Sequence, residues 1–266
     1  MIEMVRIATL QLSGCAGCHL SLLDALHMLP DLILDGTFDL RYSHMLMDEK
    51  ELPDEVDLLI VEGGVLTTQE EEQLKRFAER AGKVFALGGC ACYRGIGAQG
   101  NIVARDELLR EYYDGDDTPS IDLPEHFEFF HGIDGIVDVD YSLGGCPPDS
   151  DELRDFVLSI LNGKAPRVIQ LKNICDECPR HRNSDSEEAP IDEPMMRLID
   201  VVPDEERCLV DQGLICMGMA TRAGCGAKCP KAGAPCYGCL GPLEARRVSP
   251  SDLAHYRKQL AAYREI

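Results

Sequence analysis

The sequence predicts an α/β fold: an open, mostly parallel sheet with helices on both faces, followed by a small irregular unit. Three observations carry this. Short apolar runs alternate with helical stretches over residues 1–165. Several of these runs stop at a glycine-rich turn that bears a cysteine or a carboxylate. Beyond Pro166 the periodicity fades, and eight of the thirteen cysteines crowd into the remaining chain. The boundary falls at Gly163-Lys164-Ala165-Pro166, giving domains 1–165 and 166–266.

Taken in order, Val5–Leu12 is a β-rich run. Cys15-x2-Cys18 follows it, then apolar residues at helical spacing over Leu20–Leu29, with Pro30 as a stop. Phe38–Met45 is a weaker strand. Asp57–Val61 (DLLIV) is a buried strand ended by Glu62-Gly63-Gly64. Gln69–Ala81 is an amphipathic helix closed by Gly82. Lys83–Leu87 is a buried strand ended by Gly88-Gly89-Cys90. Ile136–Leu143 is the last strand, ended by Gly144-Gly145-Cys146-Pro147-Pro148. Asp149 or Ser150 caps a final helix to about Leu161.

Composition narrows the function. The 266 residues are 45% hydrophobic, enough for a full core without disulfides, and carry a net charge of −21. So acidic a chain is a poor nucleic-acid or anionic-membrane binder. Residues 1–165 hold 12 Lys and Arg against 32 Asp and Glu; residues 166–266 hold 14 against 15. No run of about 18 apolar residues exists, so no membrane span is expected. The amino-terminal MIEMVRIATLQL lacks the pattern of an export signal, so a cytoplasmic location is expected. Cytosolic thiols stay reduced, which makes the cysteines metal ligands before disulfides. Met28, Met45 and Met47 read as core fillers rather than ligands.

In doubly wound sheets ligands bind at the carboxyl ends of strands. Cys15, Cys18, Cys90 and Cys146 can therefore converge although they are far apart in sequence. Their glycines let backbone approach a bulky inorganic core and donate N–H groups to it. The bland alternative is four buried thiols near turns. A phosphate-binding loop is excluded, because no GxGxxG has the required spacing.

The second unit holds Cys175-x2-Cys178, an acidic stretch at 183–194, Cys208 and Cys216, then Cys225-x3-Cys229-x6-Cys236-x2-Cys239. Residues 204–244 are rich in Gly, Ala, Cys and Pro, and an inorganic group is expected to replace a hydrophobic core there. Zinc and iron–sulfur both remain open on spacing. Two C-x2-C pairs suit zinc, but their irregular separation does not. Eight cysteines equally suit two four-thiolate clusters. With the first unit the ligands make twelve, three sets of four, with Cys92 left over as a spare buried thiol. Three clusters in one chain imply an electron wire, because tunnelling falls steeply with distance.

The motifs resemble the small, electron-transfer subunit of [NiFe] hydrogenases. The resemblance covers roughly residues 4–245. It rests, in order, on Cys15-x2-Cys18-His19, Glu62-Gly63-Gly64, Gly88-Gly89-Cys90-Ala91, Gly145-Cys146-Pro147-Pro148, Cys175-x2-Cys178 and the 208–242 array. It implies a flavodoxin-like first domain in which Cys15, Cys18, Cys90 and Cys146 hold a proximal [4Fe–4S] cluster. It implies a distal [4Fe–4S] cluster on Cys175, Cys178, Cys208 and Cys216, and a medial one on Cys225, Cys229, Cys236 and Cys239. Cys175 stands where exported members commonly have His. Cys229 stands where many have Pro and a three-iron medial cluster. Gly17 and Gly95 stand where oxygen-tolerant members add cysteines, so an ordinary oxygen-sensitive proximal cluster is implied.

These departures are similar to the cytoplasmic group: viologen-reducing (F420-non-reducing) enzymes, F420-reducing enzymes and NAD(P)-linked sulfhydrogenases. The phrase Leu214-Ile215-Cys216-Met217-Gly218 with Cys225–Gly241 is nearest the viologen-reducing and sulfhydrogenase-like members. By the resemblance H2 is split at a NiFe centre in a partner large subunit, and this chain carries no nickel ligand. Electrons pass from proximal through medial to distal and leave near Cys175–Arg182. They go to a further iron–sulfur or flavin subunit linked to heterodisulfide reductase, F420 or NAD(P). Glu62 and His19 are set against the large subunit near the proximal cluster, or are loop residues with local hydrogen bonds. The alternatives are a gamma-type subunit of an F420- or NAD(P)-reducing enzyme, a complex I-like cluster subunit, a zinc-stabilised adaptor and a free-standing electron carrier.

Overall fold

The computed structural model describes residues 4–48, 51–112, 124–164, 166, 172–181 and 196–243. The acidic stretch 183–194, Arg182 and Ala165 lie outside them. The chain falls into two compact units, Met1–Arg167 and Val168–Ile266.

The first unit runs β1 (Val5–Gln11), α1 (Gly17–His27), α2 (Pro30–Leu34), β2 (Phe38–Ser43), β3 (Leu58–Glu62), β4 (Val65–Thr67) and α3 (Thr68–Ala78). It continues through β5 (Val84–Leu87), α4 (Gly88–Tyr93), α5 (Arg105–Tyr112), β6 (His126–His131), β7 (Tyr141–Leu143) and α6 (Ser150–Leu161). Five strands form a parallel sheet in the order β2-β1-β3-β5-β7. Counted within the sheet, this is the 2-1-3-4-5 order of flavodoxin-like folds.

Side chains alternate across the sheet, as a pleated strand requires. Ala8, Leu10, Leu59, Val61, Val84 and Ala86 pack on one face with Leu74 and Phe77 of α3. Phe85, from the alternate set, stacks on Phe156 of α6 with ring centroids 4.9 Å apart. A capping box between Thr67 and Glu70 starts α3. Asp149 caps α6 by accepting from the main-chain N–H groups of Asp151 and Glu152. Arg6 clips β1 to the residue before β3: its Nη2 and Nε donate to Asp57 at 2.8 and 3.1 Å.

Several elements differ from expectation. Helix α1 begins at Gly17, so Cys18 sits in its first turn. Pro30 opens α2 at its first position, where a missing N–H costs nothing, rather than only stopping α1. β4 and β6 make an antiparallel pair outside the main sheet that no sequence pattern announced. The last strand spans only Tyr141–Leu143. Ahead of it, Asp140 Oδ2 accepts from Val84 N–H at 2.8 Å, a side chain standing in for a ladder carbonyl. Met28 and Met45 lie on the surface, 39% and 43% exposed, and are not core fillers.

In the second unit the described residues form single turns at 174–176, 198–200 and 210–212 and one short helix, α7 (Lys228–Lys231). They nevertheless build an apolar core from Ile174, Leu209, Val210, Leu214, Met219, Ala227 and Leu240, with Cys216 and Cys236 in it. The expectation that this segment has no core of its own is thereby corrected. Periodicity detects only regular elements, and these residues converge from turns. Among the described residues no helix is long and apolar enough to cross a membrane.

Candidate metal centres

Strands β1, β3, β5 and β7 are neighbours in the sheet, and their carboxyl ends deliver the singled-out residues to one place. The turn after β1 carries Cys15, and the first turn of α1 carries Cys18. β3 ends on Glu62. β5 runs straight into α4, whose first turn holds Cys90, and Cys146 follows β7. All five line one cavity of about 510 Å3. Main-chain bonds fix its walls. Gly89 N–H donates to the Gly145 carbonyl at 2.7 Å, and Ser21 Oγ ties α1 to the Pro148 carbonyl at 2.6 Å.

Gly88 is the tightest point. Its φ is +89°, and a Cβ there would stand 2.2 Å from Cys18 Sγ. Burial pushes the Cys18 thiol well above its ordinary pKa, helped by the charges of Glu62, Cys90, Cys15 and Cys146. Burial also raises Cys90 and Cys146. The protein alone therefore keeps these groups as thiols. A bound cation must supply the attraction that turns them into thiolates.

Glu62 and His19 are 1% and 2% exposed. Glu62 Oε2 accepts the His19 main-chain N–H at 2.7 Å. His19 Nδ1 stands 3.1 Å from the same oxygen but off the hydrogen-bonding line. The Glu62 carboxylate, which also lines the cavity, thus anchors the start of α1 through a local hydrogen bond. Cys92 is buried and its thiol donates to the Ala86 carbonyl at 3.3 Å.

The donor set fits a polynuclear iron–sulfur group. One zinc holds four sulfurs within about 4 Å of each other. Among the described residues no three Cys, His, Asp or Glu side chains converge closely enough for a single ion. A cubane gives each thiolate its own iron and spreads the four apart. The cavity's volume and its glycine-lined wall suit such a group.

In the second unit Cys175, Cys178, Cys208 and Cys216 line one small cavity of about 30 Å3, together with Arg180. Burial raises the Cys208 and Cys216 thiols. Arg180 is 9% exposed. Its Nε donates to the Pro230 carbonyl at 2.8 Å, and its Nη1 donates to the Arg207 carbonyl at 3.1 Å and to that of Asp204. For the remaining four cysteines the geometry is looser. Burial raises the Cys236 thiol, and the charges of Cys225 and Cys229 add to it. Cys236 N–H donates to Cys216 Sγ at 3.3 Å, joining the two cysteine groups. Sequence reasoning missed Arg180 and Glu177. The only signal was a charged residue inside or just after a C-x2-C pair, which reads as solvated loop.

Residues 15–160 match the family model described as NADH ubiquinone oxidoreductase, 20 Kd subunit. The chain is 40% identical to the vhu G-chain of the F420-non-reducing hydrogenase from Methanocaldococcus jannaschii over 250 residues, 90% of this chain and 83% of the relative. A chain in the crystal structure of an NAD+-reducing [NiFe]-hydrogenase is 34% identical, with TM-score 0.56, over 62% of this chain and 95% of that one. A chain of the Ni-Fe-Se hydrogenase from Desulfomicrobium baculatum shares the fold, with TM-score 0.57 over 93% and 98% at 18% identity. The family model ends before the second unit, whereas the likeness to the Methanocaldococcus chain runs on through the cysteine array. The chain belongs to this 20 kDa-subunit family and, within it, to the small, electron-transfer subunits of hydrogenases, oxidoreductases that act on hydrogen.

Proposed function

We propose that this chain is the electron-relay subunit of a cytoplasmic [NiFe] hydrogenase complex of the F420-non-reducing, viologen-reducing or sulfhydrogenase-like type. Cys15, Cys18, Cys90 and Cys146 of the first unit hold the proximal [4Fe–4S] cluster. Cys175, Cys178, Cys208 and Cys216 hold the distal one, and Cys225, Cys229, Cys236 and Cys239 the medial one. When bound, these clusters supply one-electron transfer between the NiFe centre of a large subunit and a further iron–sulfur or flavin subunit.

The observation that carries this reading is the convergence of Cys15, Cys18, Cys90 and Cys146 from strand ends onto one cavity. The residues there have separable tasks. Four thiols are the ligands, Gly88 leaves room for Cys18, and the bond from Gly89 to Gly145 keeps the Cys90 and Cys146 loops in step. Leu66, Ile96 and Phe130 make part of the cavity wall apolar, and Ile96, 65% exposed, offers apolar surface to a large subunit.

Cys146→Ser tests the reading. The complex should lose the proximal signal in electron paramagnetic resonance (EPR) and its H2-driven viologen reduction, while the other two cluster signals persist. Unchanged dye reduction would remove the proximal assignment.

A further inference from the structure

The C-x2-C pair at 175–178 carries a glutamate one residue before its second cysteine. Glu177 Oε2 accepts the main-chain N–H of Gly226 at 2.9 Å and that of Gly224 at 3.2 Å. These two glycines flank Cys225. One carboxylate oxygen from the first ligand loop is thus bonded to both sides of a cysteine in another loop.

The two ends of this tie are unlike. On the Glu177 side the backbone is fixed: Asn173 and Asp176 form a reciprocal capping box around the turn at 174–176. On the other side Gly224, Gly226 and Ala227 have φ of +140°, +65° and +54°. Main chain that carries left-handed residues can turn its N–H groups inward to make an anion-binding concavity. Glu177 fills that concavity with two charge-assisted hydrogen bonds. Without the carboxylate, two N–H groups are released beside two glycines, and no main-chain carbonyl of the described residues takes either one.

We propose that Glu177 is the positioning residue that holds the Cys225 loop in register with the Cys175–Cys178 loop, so that the medial cluster keeps the iron bound by Cys225. The inference rests on the ligand sets proposed above. A four-thiolate site with one wandering ligand gives up the iron that ligand held. Mild oxidation exposes this: [4Fe–4S]2+ releases one Fe2+ and passes one electron to added ferricyanide, leaving [3Fe–4S]+.

The test compares the anaerobically purified complex carrying wild-type chain, Glu177→Ala and Glu177→Gln, with Cys225→Ser as the reference for a lost medial ligand. After ferricyanide treatment, Glu177→Ala should show the three-iron EPR signal of the Cys225→Ser reference and a loss of about one iron in twelve. Glu177→Gln keeps an acceptor oxygen and should retain the iron. A Glu177→Ala complex without the three-iron signal overturns the inference. So does a Glu177→Gln complex that loses as much iron, or loss of both second-unit clusters from Glu177→Ala, which would make the residue a general fold support. Zinc, or too few clusters, in the wild-type chain would instead sink the ligand sets themselves.

Discussion

In the first unit four cysteines follow the ends of adjacent parallel strands; in the second, seven lie in turns or irregular chain and Cys229 in the short helix α7. The first cavity, framed by the sheet ladder, measures about 510 Å3. The second cavity has no ladder behind it and measures about 30 Å3. The buried charged side chains differ too: Glu62 lines the first cavity and Arg180 the second. A preformed site asks little of its contents. A site made of turns depends on the bound group for its shape.

Removing the iron is the strongest way to break this comparison. Anaerobic chelation should abolish hydrogen-exchange protection over 172–181 and 196–243, since a structural metal site can contribute on the order of 10 kcal/mol. The β1, β3 and β5 amides should stay protected. Equal protection in both units would mean that the small core around Leu209, Leu214 and Leu240 suffices alone.

Gly88→Ala reverses the asymmetry. A non-glycine residue at φ +89° costs about 1–2 kcal/mol, and its Cβ would overlap Cys18 Sγ. Loss of the first-unit cluster signal with both second-unit signals intact is the expected result. An intact proximal signal would show that Cys18 can move aside.

Arg180→Gln sharpens the electrostatic half. If Cys175, Cys178, Cys208 and Cys216 hold the proposed cluster, removing the buried cation beside them should lower its reduction potential by roughly 59 mV, a tenfold change in a one-electron equilibrium. Arg180→Lys should keep it. An unshifted potential in a redox titration followed by EPR would make Arg180 only a clamp on its three carbonyls.

The smallest effect is expected at the Arg6–Asp57 clip, whose side chains are 36% and 41% exposed. Asp57→Asn should cost about 0.2–1 kcal/mol in denaturant unfolding. Hydrogen bonding to Arg6 holds the Asp57 carboxyl below its ordinary pKa. Its contribution is therefore full above the unfolded carboxylate value of about 3.9 and is lost as pH falls through the folded one. A variant whose deficit persists at pH 2 would contradict this.

The parallel sheet was legible because strands buried on both faces read as continuous apolar runs, as in DLLIV and KVFAL. Of the first cavity's cysteines, Cys90 was legible because it follows such a run, and Cys15, Cys18 and Cys146 because each follows a mixed, strand-like run. The β4–β6 pair was not: Val65–Thr67 is too short for a periodic signal, and HFEFFH mixes buried and exposed positions without alternation. The second unit's core was hidden for the same reason, since Ile174, Leu214 and Leu240 converge from unrelated turns. Glu177 and Arg180 act through main-chain partners dozens of residues away, and no local spacing reveals those.

We propose, above all, that this chain is an iron–sulfur wire. The most direct test is the iron, acid-labile sulfide, zinc and nickel content of the anaerobically purified complex, measured chain by chain after its subunits are separated. About 12 iron and 12 sulfide on this chain, with nickel only on a larger partner, is the predicted result. Zinc in place of iron would contradict it, and the electron-relay function would fall with the clusters.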